Sequence, residues 1–178
     1  ITNRYPDDEL EIFLCMRYWH PMSSKTVMEV KDYNPDEILL LPLYPQFSTT
    51  TTGSSLDDWI KVASTLGLQK PTYSICCYPT DNKWVEAQSN LLMEVLDGLP
   101  DTKNVKILFS AHGLPQKVVN RGDPYQWQVE QSAQAIAAHA KIPIDSWNIC
   151  YQSRVGPMKW IGPSLDIALK RAAEIRTA

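Results

Sequence analysis

The sequence carries no excess of positive charge: 17 Lys and Arg stand against 20 Asp and Glu, leaving a net charge of −3. Without a basic surplus there is no stripe of cations to release counterions along a phosphate backbone, which argues against nucleic acid as a partner. Long hydrophobic runs are missing too. The longest, Ile38 to Tyr44, is interrupted by Pro42 and falls far short of a bilayer span. Cysteine is scarce: Cys15, Cys76, Cys77 and Cys150 share no repeated spacing, so neither a disulfide scaffold nor a zinc ribbon is encoded. Neither GxxxxGK(S/T) nor GxGxxG occurs, which leaves a nucleotide site poorly supported. The first residues, Ile1 to Tyr5, have no initiator Met, no apolar signal core and no Arg/Ser-rich transit pattern, and read as a cut end.

What is present is ordinary globular composition, 44% hydrophobic and 21% charged over 178 residues, enough for one large domain or two small ones with a real core. A soluble, intracellular protein is expected. Short apolar runs suggest five strands, at Glu11–Met16, Glu37–Leu43, Pro71–Cys77, Val105–Ser110 and Ser146–Tyr151. These are continuous runs without strict alternation, as for strands buried on both faces. Helical stripes lie between them: Val85, Leu92, Leu96 and Leu99; Val129, Ala133, Ile136, Ala137 and Ala140; Leu165, Ala168, Leu169 and Ala172. Ser54, with Asp57 three residues on, and Asp123-Pro124 offer helix starts. Alternating strands and helices predict an α/β fold with parallel, right-handed βαβ crossovers and helices on both faces.

Such sheets bind ligands at the carboxyl ends of their strands. His112 stands just beyond the fourth run, with Gly113 and Pro115 fixing the turn after it. An imidazole there can accept a proton or ligate a metal, or simply bond to loop backbone. Arg17, Tyr18 and Trp19 end the first run in the same way. A fixed guanidinium suits a carboxylate, and the aromatic rings offer flat faces to a planar ligand; a packed aromatic cluster with a surface Arg is the plainer alternative. The hydroxyl-rich loop 44–55 reads as a phosphate cradle or as capping and a turn. Cys15 and Cys150 are expected in the core, and His139 on the surface of a helix. Ser110 near His112 makes no hydrolase, because the GxSxG elbow is absent.

Five phrases, MRYWHP (16–21), LPLYPQFSTTTTGSS (41–55), FSAHGLP (109–115), VVNRGDPY (118–125) and YQSRVGPMKWIGP (151–163), together resemble ferrochelatases, enzymes that insert ferrous iron into a porphyrin. The resemblance runs over essentially the whole chain. It implies a chelatase fold of two Rossmann-like parallel β-sheet halves, incomplete here at both ends, with 1–98 giving most of the first half and 99–178 the start of the second. It implies a porphyrin cleft between halves and iron insertion into protoporphyrin IX or a related porphyrin such as coproporphyrin III. His112 falls on the family's catalytic His, as proton acceptor or metal ligand, and Arg17 and Tyr18 on its active-site pair. Trp19 and Tyr125 join them as substrate-binding residues. The family's acidic partner to the His would lie beyond this chain. Porphyrin and ferrous iron are the implied partners, both as substrates, and no resident cofactor is implied. Thr49 stands where animal members carry a cluster-ligating Cys, so an iron–sulfur cluster of that type is not expected. Thr80 and Asp81 depart from the His that many members place there, and no role is carried to them. A cytoplasmic protein is implied, with peripheral membrane contact left open. A non-catalytic tetrapyrrole-binding domain, or a chelatase for another metal, is the alternative.

Overall fold

The computed structural model describes residues 9–101 and 105–175. They pack as two units, one built from residues up to 44 together with 49–76, the other from 45–48 together with residues from 77 onward.

In the first unit, helix α1 (Ser23–Tyr33) is followed by strand β1 (Ile38–Leu40), a π-helical turn (Thr49–Gly53), helix α2 (Ser54–Thr65) and strand β2 (Thr72–Ser74). β1 and β2 pair in parallel, Ile38 opposite Thr72 and Leu40 opposite Ser74. Parallel neighbours need a crossover, and α2 supplies it. Val27, Val30, Ile38, Trp59 and Leu68 form the core, with Phe13, Leu40 and Val62 packed against it. α1 stops at Asn34, whose left-handed backbone (φ 57°) returns its N–H to the Val30 carbonyl.

The expected first strand, Glu11–Met16, does not form. Only Met16 makes a β-bridge, with Met22. An extended run becomes a strand when another strand takes its polar backbone groups. Here Thr26 Oγ1 takes the Leu14 carbonyl at 2.8 Å, and the Pro21 carbonyl takes the Met16 N–H at 2.8 Å. Cys15 is accordingly exposed rather than in the core, its Sγ 3.4 Å from Ser23 Oγ. The second expected strand shrinks to Ile38–Leu40, because Pro42 has no N–H to give a ladder.

The second unit holds helix α3 (Asn82–Asp97), strand β3 (Ile107–His112), the short helix α4 (Gln116–Val119), helix α5 (Tyr125–His139), strand β4 (Trp147–Gln152) and helix α6 (Leu165–Ile175). Asp81 caps α3 by accepting the Lys83 and Trp84 N–H groups. β3 and β4 pair in parallel over six residues, from Ile107 opposite Trp147 to His112 opposite Gln152. Leu114, Val129, Tyr151 and Ile161 are its core. The α5 stripe is as the periodicity predicts, Val129, Ala133, Ile136 and Ala137 all being buried. α3 joins this unit, Ser89 Oγ donating to the Ile136 carbonyl of α5. The chain is thus a parallel α/β protein, with two small sheets among the described residues. Among the described residues no helix is long and apolar enough to cross a membrane.

Candidate active site

β3 runs two residues further than its apolar pattern, so His112 is the last rung of the ladder instead of the first residue of a loop. A terminal rung fixes backbone direction while leaving the side chain free, and His112 is exposed. Gly113 locks the next step: its N–H donates to the Gln152 carbonyl at 2.8 Å, and a Cβ there would come within 2.9 Å of that oxygen. Only a residue without a side chain makes this approach without a shift.

Beside His112 lies a cavity of about 290 Å³, lined by Gln46, Trp84, Phe109, Tyr125 and Ser132 among others. Tyr125 opens α5 and is half-buried. Burial pushes its phenol above the ordinary value of 10.0; a hydrogen bond from the His112 backbone opposes the rise, and the Asp123 carboxylate adds to it. Asp123 is 6% exposed and spans two elements: Oδ1 accepts the Tyr125 N–H at 3.0 Å and Oδ2 accepts Ser48 Oγ at 3.0 Å. The expected arrangement, Asp123 as cap and Pro124 as first helical residue, shifts by one: Pro124 is itself the cap residue, the helix begins at Tyr125, and Asp123 takes the Tyr125 N–H from just outside it. Gln128 and Ser132 continue the attachment, accepting from the Phe47 N–H (2.7 Å) and Gln46 Nε2 (2.8 Å) respectively. Residues 45–48 are thereby riveted to α5 along the wall of the cavity.

A second cavity, about 480 Å³, opens at the end of β4 against Tyr151, Gln152, Arg154, Trp160 and Asp166. Two buried donors beside it, the Tyr151 hydroxyl and Trp160 Nε1, find no partner among the described residues. The sequence reading singled out none of these side chains, since each looks like ordinary core or loop until the chain is folded. Tyr151 is 1% exposed, and burial pushes its phenol far above 10.0, with Glu130 the next contributor. A raised phenol pKa gives stability that is present below about pH 10 and lost as pH climbs through the folded value. Tyr151→Phe removes the unsatisfied hydroxyl and is expected to stabilise the full-length protein by about 1 kcal/mol at neutral pH. It should also move alkaline unfolding to higher pH. Urea unfolding at neutral and alkaline pH checks both.

Arg17, Tyr18 and Trp19 belong to the first unit. Tyr18 and Trp19 are 72% and 73% exposed, presenting flat aromatic faces. Arg17 is held: Nε donates to Ser54 Oγ at 3.0 Å, Nη1 lies 3.6 Å from Asp58 Oδ1, and the guanidinium stacks 4.7 Å above the Tyr18 ring. Ser54 is thus not a free helix cap. It is the first residue of α2, continuous with the π-helical turn, and its hydroxyl serves Arg17. The turn itself is no open cradle, since Thr52 is fully buried and the Thr51 and Thr52 hydroxyls have no partner among the described residues. Of the predicted site residues the structure brings His112 and Tyr125 together in one unit and Arg17, Tyr18 and Trp19 together in the other. Among the described residues no three His, Cys, Asp or Glu side chains converge to hold a metal.

A parallel α/β chain with an exposed imidazole and cavities at its strand ends belongs with proteins that bind ligands at that edge of the sheet. The family model for ferrochelatase matches residues 1–177, and the chain belongs to the ferrochelatase family. It is 50% identical over 167 residues to the ferrochelatase of Caulobacter vibrioides (strain NA1000 / CB15N), covering 94% of this chain and 47% of that protein. It is 46% identical over 160 residues to the ferrochelatase of Pelagibacter ubique (strain HTCC1062), covering 90% and 46%, and 43% identical over 162 residues to that of Wolbachia pipientis wMel, covering 91% and 51%. The chain spans about half the length of the curated relatives it matches.

Proposed function

We propose that the full-length protein inserts ferrous iron into a porphyrin, protoporphyrin IX or a relative such as coproporphyrin III, to form haem. Membership of the ferrochelatase family, with His112 standing exposed beside a cavity at the end of β3, is the observation that carries this reading. The reaction must remove two pyrrole protons, strip water from the metal and turn nitrogen lone pairs out of the macrocycle plane. His112 acts on the first two demands, as proton acceptor or as the ligand that hands iron to the ring. Tyr125 stays protonated near neutrality and lines the same cavity as that imidazole. Tyr18 and Trp19 bind the faces of the ring, and Arg17 holds a propionate. Iron is substrate, not a resident cofactor. Two Rossmann-like halves, 1–98 giving most of the first and 99–178 the start of the second, remain part of the proposal.

Titrating the full-length protein with protoporphyrin IX, following the Soret band, and then adding Fe²⁺ anaerobically tests the reading. Binding followed by the haem spectrum is expected. Binding without metallation would make the protein a tetrapyrrole-binding module. Repeating the reaction with Co²⁺ and Zn²⁺ distinguishes a chelatase for another metal, raw affinities being ordered by the Irving–Williams series whatever the enzyme.

A further inference from the structure

Arg17 is restrained on three sides, by two residues of helix α2 and by its own neighbour Tyr18. Ser54 and Asp58 lie four residues apart on α2, hence on one face of it, and both engage the guanidinium, at Nε and Nη1. Tyr18 stacks on its plane and reaches toward the same Ser54 hydroxyl, at 3.4 Å. Asp58 is itself fixed: Ser23, buried at the start of α1, donates its hydroxyl to Asp58 Oδ2 at 2.6 Å, the short distance of a charge-assisted bond. Each carboxylate oxygen thus has a separate task, one toward Ser23 and one toward Arg17.

A guanidinium carries five N–H groups in a rigid fork. With Nε and Nη1 turned toward protein, Nη2 has no acceptor among the described residues. The Arg17 and Asp58 side chains are 31% and 27% exposed, so the edge left over is open to a ligand. A long side chain already held in place loses less freedom when a ligand arrives, and its fork meets a carboxylate at a set angle.

We propose that Asp58, anchored by Ser23, is a positioning residue that aims Arg17 at one carboxylate of the porphyrin. The inference rests on the reading of Arg17 as a carboxylate-binding residue, and the test separates the two. Affinity of the full-length protein for protoporphyrin IX and for its dimethyl ester, which lacks the carboxylates, is measured by Soret titration alongside thermal melts. Arg17→Ala is expected to weaken binding of the free acid by about tenfold or more and to leave the ester unchanged. Asp58→Ala should weaken binding of the acid by about fivefold, again without touching the ester, because it loosens an arginine that is still present. Asp58→Asn, which keeps the shape and one acceptor, should recover most of that loss. Ser23→Ala, which leaves both charges in place, should fall between wild type and Asp58→Ala; it and the Asn variant decide the matter if Asp58→Ala fails to melt cooperatively. Wild-type acid-over-ester preference in both Ser23→Ala and the Asp58 variants, with the preference lost in Arg17→Ala, would overturn the positioning role and leave Arg17 in place. A preference that survives Arg17→Ala would remove the Arg17 reading and this inference together.

Discussion

Replacing His112 by alanine in the full-length protein is expected to lower haem formation by about a hundredfold or more, the usual weight of a positioned acid–base group. Porphyrin affinity should stay within about twofold, since ring binding falls to aromatic faces and Arg17 rather than to the imidazole. The separation follows from where the residue sits. His112 closes β3 opposite Gln152, its backbone fixed by the ladder and by the Gly113 N–H bond to the Gln152 carbonyl. The side chain is exposed and packs into neither core cluster, so its loss should not unfold the sheet. Turnover measured anaerobically with ferrous iron, together with Soret titration of the same variant, reads both quantities. A variant that forms haem at the wild-type rate would remove His112 from the mechanism.

Asp123→Ala is the substitution expected to cost most in stability, about 3 kcal/mol. The carboxylate is buried and accepts from the Tyr125 N–H and the Ser48 hydroxyl, so two bonds in a buried setting would be lost. Losing the bond to Tyr125 also frees the start of α5, and with it the phenol that lines the cavity beside His112. Activity should therefore fall along with stability. Asp123→Asn keeps the shape and one acceptor oxygen and should cost roughly half as much. Urea unfolding of the three proteins gives the comparison. Equal stability of wild type and Asp123→Ala would show that the segment 45–48 is held by something other than this carboxylate.

Four of the five apolar runs became strands, but the burial on both faces expected of them is not what the fold shows: β2 is exposed along its length, and β3 is at most half-buried. The α5 stripe was legible as a helix, with Val129, Ala133, Ile136 and Ala137 buried. The first run failed for a reason that apolarity cannot express. Two of its backbone groups, the Leu14 carbonyl and the Met16 N–H, go to Thr26 and Pro21 rather than to a neighbouring strand. Helix α1 escaped the periodicity search because two of its four buried positions are Ser23 and Thr26, polar residues that break an apolar stripe while serving Asp58 and Leu14. Its stop was nevertheless written in the sequence, in Asn34 followed by Pro35.

The candidate site divides along the same line. His112 was visible because a buried strand followed by Gly and Pro is a local pattern. Arg17 was visible as a cation at a loop start, but its grip by Ser54 and Asp58 joins residues 37 or more positions apart in the chain. Ser54 carried a local meaning, a helix cap, which lost to a tertiary one. Tyr151 read as the end of a strand and Trp160 as part of the loop after it, and only their stranded donors beside a cavity set them apart.

The decisive quantity is the number of haem molecules made per molecule of protein when porphyrin and Fe²⁺ are supplied in excess without oxygen. Repeated turnover, with haem accumulating well beyond the protein concentration, is the predicted result. Porphyrin that is bound tightly yet remains free of iron would contradict the account at its root.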